Sequence, residues 1–224
     1  MAVYKLFPTK DASIYTENIS MNTGLDQIAE ASTYIYQGDP HISRYLIDFS
    51  TSEISDIINN KISGSSFKTY LNSYAATVTG LNTNTKLYSY PISGSWDMGT
   101  GHFRNSPITS NGVSWKYQAY SGSTEWATSS FNTYSTASYS TKIGGGTWYT
   151  GSNLGLNVVH SQSFNYSDNI DISLDVTNTI NTWNSNSIDS NNGFPNNGFI
   201  IKQGPIHILL DILVLILIQY TPHN

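Results

Sequence analysis

Between residues 170 and 202 the hydrophobic period of this chain changes twice, and few folds accommodate that. Ile170, Ile172, Leu174 and Val176 alternate with polar residues, the pattern of a half-buried strand. Val176, Ile180 and Trp183 then follow at i, i+4 and i+7, which puts three apolar side chains on one face of a helix. Asp175 stands just ahead of them, where a carboxylate can accept an orphan backbone N–H. Asn196-Asn-Gly198 is a turn signal, and Phe199-Ile-Ile-Lys202 reads as another strand. The unit is therefore strand, short capped helix, turn, strand. In it Asp175 reads as a cap rather than a catalyst, and Trp183 as a core anchor.

Most of the remaining chain reads as strands. Val3, Leu6 and Phe7 suggest a first strand ended by Pro8. Residues 11–15, 32–37 and 43–49 alternate, with Gly38-Asp-Pro40 as the loop between the last two. Ile54, Ile57 and Ile58 have helical spacing behind Ser52, a suitable cap. Residues 67–78 form a long strand with Tyr70, Asn72 and Tyr74 on one face, and residues 86–92 follow as its expected hairpin partner. From Gly94 to Gly151 the chain is rich in loops and holds Trp96, Trp115, Trp126 and Trp148, before residues 158–164 restore alternation. The expectation is one all-β, jelly-roll-like sandwich over residues 1–203, with short helices near 53–61 and 176–184.

Residues 204–224 break with this pattern. Residues 206–218 contain 11 apolar residues in 13, and they include Asp211. The run is shorter than the roughly 20 residues of a membrane-spanning helix, so a membrane role is not favoured. Three readings stay open: a buried final strand, a membrane or partner anchor, or a foreign or frame-shifted ending.

Only 11% of residues are charged, so Ser, Thr, Asn, Gly and Tyr must cover the surface, as in many extracellular and virion β-proteins. A net charge of −5 without a basic stripe argues against nucleic-acid binding. The absence of cysteine excludes disulfides, thiolate-ligated zinc and thiol catalysis. The first residues contain no apolar run of signal-peptide length, so the chain is expected to start in the cytoplasm.

Catalytic motifs are scarce. His41, His102, His160, His207 and His223 show no metal-ligand spacing. Gly151-Ser-Asn-Leu-Gly155 has its serine one place too early for a nucleophile elbow, and Gly99-Thr-Gly101 lacks the helix a phosphate site needs. Asp97 and Glu125, each beside a tryptophan, are the one carboxylate pair a glycosidase could use. Residues 189–193, Asp-Ser-Asn-Asn-Gly, could hold calcium but lack the regular loop spacing and the late bidentate glutamate. No catalytic residue and no cofactor are therefore assigned. Flat aromatic rings next to amides stack on sugars, which nominates Trp96, Trp126 and Trp148 as glycan contacts.

Taken in order, Asp11-Ala-Ser-Ile-Tyr, Asn22-Thr-Gly, Ser43-Arg-Tyr-Leu-Ile-Asp-Phe, Trp96-Asp-Met-Gly-Thr-Gly, Asn111-Gly-Val-Ser-Trp, Glu125-Trp, Asp175-Val-Thr…Trp183 and Asn197-Gly-Phe-Ile-Ile-Lys202 carry a family resemblance. Over roughly residues 8–203 the chain resembles the DNRLRE-type β-sandwich domain. The six-letter run that names that family is absent. The family pattern also continues past Lys202 into a polar turn and one more strand, where this chain has its apolar tail. The resemblance implies a jelly-roll-like sandwich of carbohydrate-binding-module type. Such domains occur in bacterial surface and secreted proteins, and similar sequences occur as structural proteins of tailed marine and cyanobacterial phages. It therefore implies a non-catalytic virion protein (tail fibre, baseplate or head decoration). Its expected partners are other virion proteins, copies of itself and host-surface polysaccharide. The alternative is a carbohydrate-binding module outside a bacterial cell or on its surface.

Overall fold

The computed structural model of the chain describes residues 3–62, 67–79, 85–119, 124–126, 144–150, 156–164, 171–191, 193–204 and 212–217. Its strands are β1 (Lys10–Tyr15), β2 (Ala29–Tyr36), β3 (Asp39–Asp48), β4 (Tyr70–Thr79), β5 (Thr85–Pro91), β6 (Tyr117–Ala119), β7 (Thr124–Glu125), β8 (His160–Phe164), β9 (Ile172–Asp175), β10 (Phe199–Gln203) and β11 (Ile212–Leu217). The helices are α1 (Thr51–Asp56), continued by a turn of π-helix at Ile57–Ile62, and α2 (Thr177–Ile188). The fold is all-β and sandwich-like, and its strand pairs are antiparallel.

The strands follow one path, β8-β5-β10-β3-β2-β11-β4-β9, with β1 also paired to β3. Strand β3 makes the path turn back on itself. Its residues 39–42 pair with β2, whereas residues 43–48 pair with β1 and residues 45–47 with β10. A long strand can serve two layers in this way because successive stretches of its backbone pair in different sheets. Tyr45, Ile47, Phe199, Ile201 and Leu87 of the first layer meet Ala29, Ala31, Leu71, Ile172 and Leu174 of the second in one core.

The unit formed by β9, α2 and β10 crosses between these layers; Ile170 lies outside the described residues. Strand β9 lies at the edge of the second layer and β10 in the middle of the first, so α2 carries the chain across. Ile180 and Trp183 of α2 enter the core, where the Trp183 and Phe199 ring centroids are 4.7 Å apart. Val176 occupies the N-cap position without a side-chain bond. Asp175, one residue earlier, accepts the Thr177 N–H at 3.1 Å and pairs with Lys68 at 2.8 Å. Those bonds, led by Lys68, pull its pKa down to about 2.

Several local expectations are corrected. Residues 3–7 form no strand; Val3, Tyr4 and Phe7 are exposed while Leu6 packs on the core. The loop between β2 and β3 is only Gln37-Gly38, both at positive φ (52° and 88°), so Asp39 and Pro40 belong to the strand. That is a two-residue hairpin turn of the type whose twist matches its strands. Helix α1 is capped by Ser50, which accepts the Glu53 N–H, and not by Ser52. Strands β4 and β5, expected as a hairpin, are not paired: β4 joins β9 and β11, and β5 joins β8 and β10.

Strand β11 comes from the apolar tail. Its backbone pairs with β2 on one side and β4 on the other, the position of an internal strand. Among the described residues no helix is long and apolar enough to cross a membrane.

Candidate functional site

The first layer is covered on both faces. On its outer face Ala12, Ile14, Leu46 and Ile200 pack against Ile92, Trp96, Val113, Trp115, Trp126 and Trp148. This second core explains the tryptophans of the loop-rich region. Among its described residues the excursion has no long strand or helix, so large rings supply the apolar area that seals the sheet.

The glycan assignment to Trp96, Trp126 and Trp148 is therefore corrected. They are 2%, 3% and 0% exposed, and Trp115 and Trp183 are buried as well. Sugar stacking needs an open ring face, and these rings are part of the interior. The indoles of Trp96 and Trp126 donate to the carbonyls of Asn197 and Ser114, both at 2.9 Å.

Asn22 pins the layer. Its Nδ2 donates to the Met98 and Val113 carbonyls at 2.7 and 2.8 Å, and its Oδ1 accepts the Gly24 and Gly101 N–H groups at 3.3 and 2.8 Å. This buried amide thus uses its full bonding capacity. The segments Asn22-Thr-Gly, Met98-Gly-Thr-Gly and Asn111-Gly-Val meet at this knot, which is structural.

Gln118 stands between Asp97 and Glu125: its carbonyl accepts the Asp97 N–H at 3.1 Å and its side-chain amide donates to the Glu125 carbonyl at 3.3 Å. Asp97 and Glu125 are both exposed, and Glu125 pairs with Lys116 at 3.2 Å. Asp189 turns its carboxylate onto Asn191, whose N–H and side-chain amide it accepts at 3.0 and 3.2 Å; Asn192 lies outside the described residues. No group of three His, Asp or Glu residues that could hold a metal occurs among the described residues. His160 is buried against Thr179 at 2.7 Å, and burial lowers its pKa. His102 meets Asp26 at 3.3 Å on the surface, and His207 and His223 lie outside the described residues.

Two features not nominated from sequence remain. The first is an open aromatic face on β4: Tyr70 and Tyr74 are 51% and 56% exposed, with Asn72 exposed between them. Alternation had placed these three on one face, which was the available signal. The second is a pair of cations, Arg44 and Lys202, on the outer face of the first layer. The Arg44 guanidinium lies 4.9 Å from the Trp115 ring centroid and 5.2 Å from that of Trp148, and it donates to the Gly145 carbonyl. The Lys202 ammonium lies 5.2 Å from the Trp148 centroid and 5.9 Å from that of Tyr90. Burial pushes the pKa of Arg44 down to about 9, and burial together with the Arg44 charge pushes that of Lys202 down to about 7.

No protein-family model, curated protein or solved structure matches this chain.

Proposed function

We propose that this chain is a non-catalytic structural protein of a tailed-phage particle, in a tail fibre, a baseplate or a head decoration. The observation that carries this reading is where apolar side chains reach the surface. Val3, Tyr4 and Phe7 are exposed ahead of β1, Ile35 and Tyr36 near the β2–β3 turn, and Tyr70 and Tyr74 on β4. Such places on a chain with few charges suit burial against other protein. The ordered motif resemblance over residues 8–203 supports the same reading. Its test is immunogold electron microscopy of purified particles with serum raised against the recombinant chain. Labelling at a fixed position on the particle is expected, and unlabelled particles would count against the reading.

The β4 face favours a second reading, contact with a neutral glycan. Two open tyrosine rings flank an amide on an accessible strand, the arrangement in which rings stack on sugars and the amide bonds their hydroxyls. Copies repeated on a particle would convert weak sugar affinity into avidity. The double variant Y70A/Y74A should lose glycan-array binding while keeping its melting temperature. An array with no hits for the parent protein would remove this reading.

A further inference from the structure

Arg44 and Lys202 stand side by side and, among the described residues, share no counter-charge. Ile201 pairs with Tyr45 across the β10–β3 ladder, and continuing that register by one residue sets Lys202 beside Arg44 on the outer face. On its other side Lys202 pairs with Tyr88, and Tyr88 and Tyr90 stack with centroids 6.0 Å apart. Among the described residues no carboxylate forms an ion pair with either cation. Arg44 is 2% exposed, and its buried Nε has no hydrogen-bond partner among the described residues.

Structure alone accounts poorly for this arrangement. Two like charges taken out of water repel each other and lose hydration, and ring faces return only part of that cost. A buried donor without an acceptor adds a further penalty. The backbone is also shaped around the guanidinium. Gly145 has a φ of +86°, and a Cβ there would lie 2.8 Å from Arg44 Nη1 and 2.6 Å from Trp115 Cζ2. Only glycine brings the chain this close. Lys202, Tyr88 and Tyr90 are half-buried, so the surface is reached at Lys202, along β5 and β10, with Arg44 buried behind it.

We propose that Arg44 and Lys202 form a binding site for one oxyanion of the carboxylate or sulfate type, with the half-buried Tyr88 and Tyr90 receiving the body that carries it. A single negative charge would offset both cations and give the Arg44 donors an acceptor. The rings favour an anion mounted on a ring or another flat apolar body over a free ion. This site does not depend on the proposed place of the chain in a particle, nor on the β4 face.

The test is a titration of the full chain followed by tryptophan fluorescence, at constant ionic strength set with sodium chloride. The probes are acetate, sulfate, cyclohexanecarboxylate and the uncharged cyclohexanemethanol. Saturable responses to the anions are expected, with cyclohexanecarboxylate tighter than acetate. K202M should weaken the response at least tenfold, and K202R should retain most of it. A check on the parent chain is its reductively 13C-methylated form, in which the Lys202 pKa should rise when cyclohexanecarboxylate is added. No saturable response to any anion, equal binding of the alcohol, or an unchanged response in folded K202M would overturn the proposal.

Discussion

Asn22 and Gly112 fix each other's identity. A Cβ at position 112 would fall 2.7 Å from Asn22 Nδ2, and 2.5 Å from the Gly99 Cα. The amide that gathers the loop layer can therefore reach the Val113 and Met98 carbonyls only while residue 112 has no side chain. Asn22→Ala leaves two buried carbonyls and two buried N–H groups without their partner, which should cost about 3–5 kcal/mol. Gly112→Ala should cost a similar amount by pushing the same amide out of place. Because both changes break one knot, the double variant should be little worse than either single one in denaturant unfolding. Additive losses would mean that the two residues act separately.

The buried tryptophans give a second test. If Trp126 seals the outer face of the first layer, Trp126→Ala should destabilise the chain by about 3–5 kcal/mol. Trp126→Phe should recover much of that, less the indole bond to the Ser114 carbonyl. Chemical denaturation of the three proteins measures this. A Trp126→Ala variant as stable as the parent would return the ring to the surface, where a sugar could reach it.

Lys202 predicts a pH dependence with a definite sign. Its pKa is about 7 in the fold, against an ordinary value of 10.5, so between these values the unfolded chain binds the extra proton. Its contribution therefore grows more favourable as pH rises through that window, and the burial penalty is fully present below it. The charged and titratable groups facing it are Arg44 on β3, and Tyr88 and Tyr90 on β5. Lys202→Met should raise the melting temperature near pH 6, and the gain should shrink towards pH 10. Melting curves of both proteins across that range check it, and a gain independent of pH would contradict it.

The last strand gives a fourth. Strands β2 and β4 are joined through β11 and not to each other. Ending the chain after Gly204 should therefore expose two ladder edges, and the protein should lose cooperative unfolding or aggregate. Size-exclusion chromatography and melting curves decide this. A monomeric truncation with the parent's stability would show that β11 adds nothing.

What could be read along the chain, and what could not, follows from the range of the interactions. Phe199-Ile-Ile reads as a strand buried on both faces because each face meets its own core, and both are apolar. The α2 segment was legible because its period and its acid lie within a few residues. The pairing of β4 was not, since neighbours in sequence are separated here into different layers. The role of Asn22 has no local sign because the carbonyls it bonds, and the Gly101 N–H, lie at residues 98–113. Arg44 and Lys202 sit within strand runs that carry no local sign of their burial. Nothing local reveals that residues 93–119, 124–126 and 144–150 return to cover that face. The tryptophans were misread for the same reason: their chemistry suits a sugar or a core, and only the sheet beneath them decides.

The central functional claim is membership of a particle. Its most direct measurement is quantitative mass spectrometry of gradient-purified phage particles that encode this chain. The account predicts its peptides at a fixed, integral ratio to the major capsid protein through successive gradients. Peptides that wash away from the particles, or that are found only in the medium or on the host envelope, would contradict it.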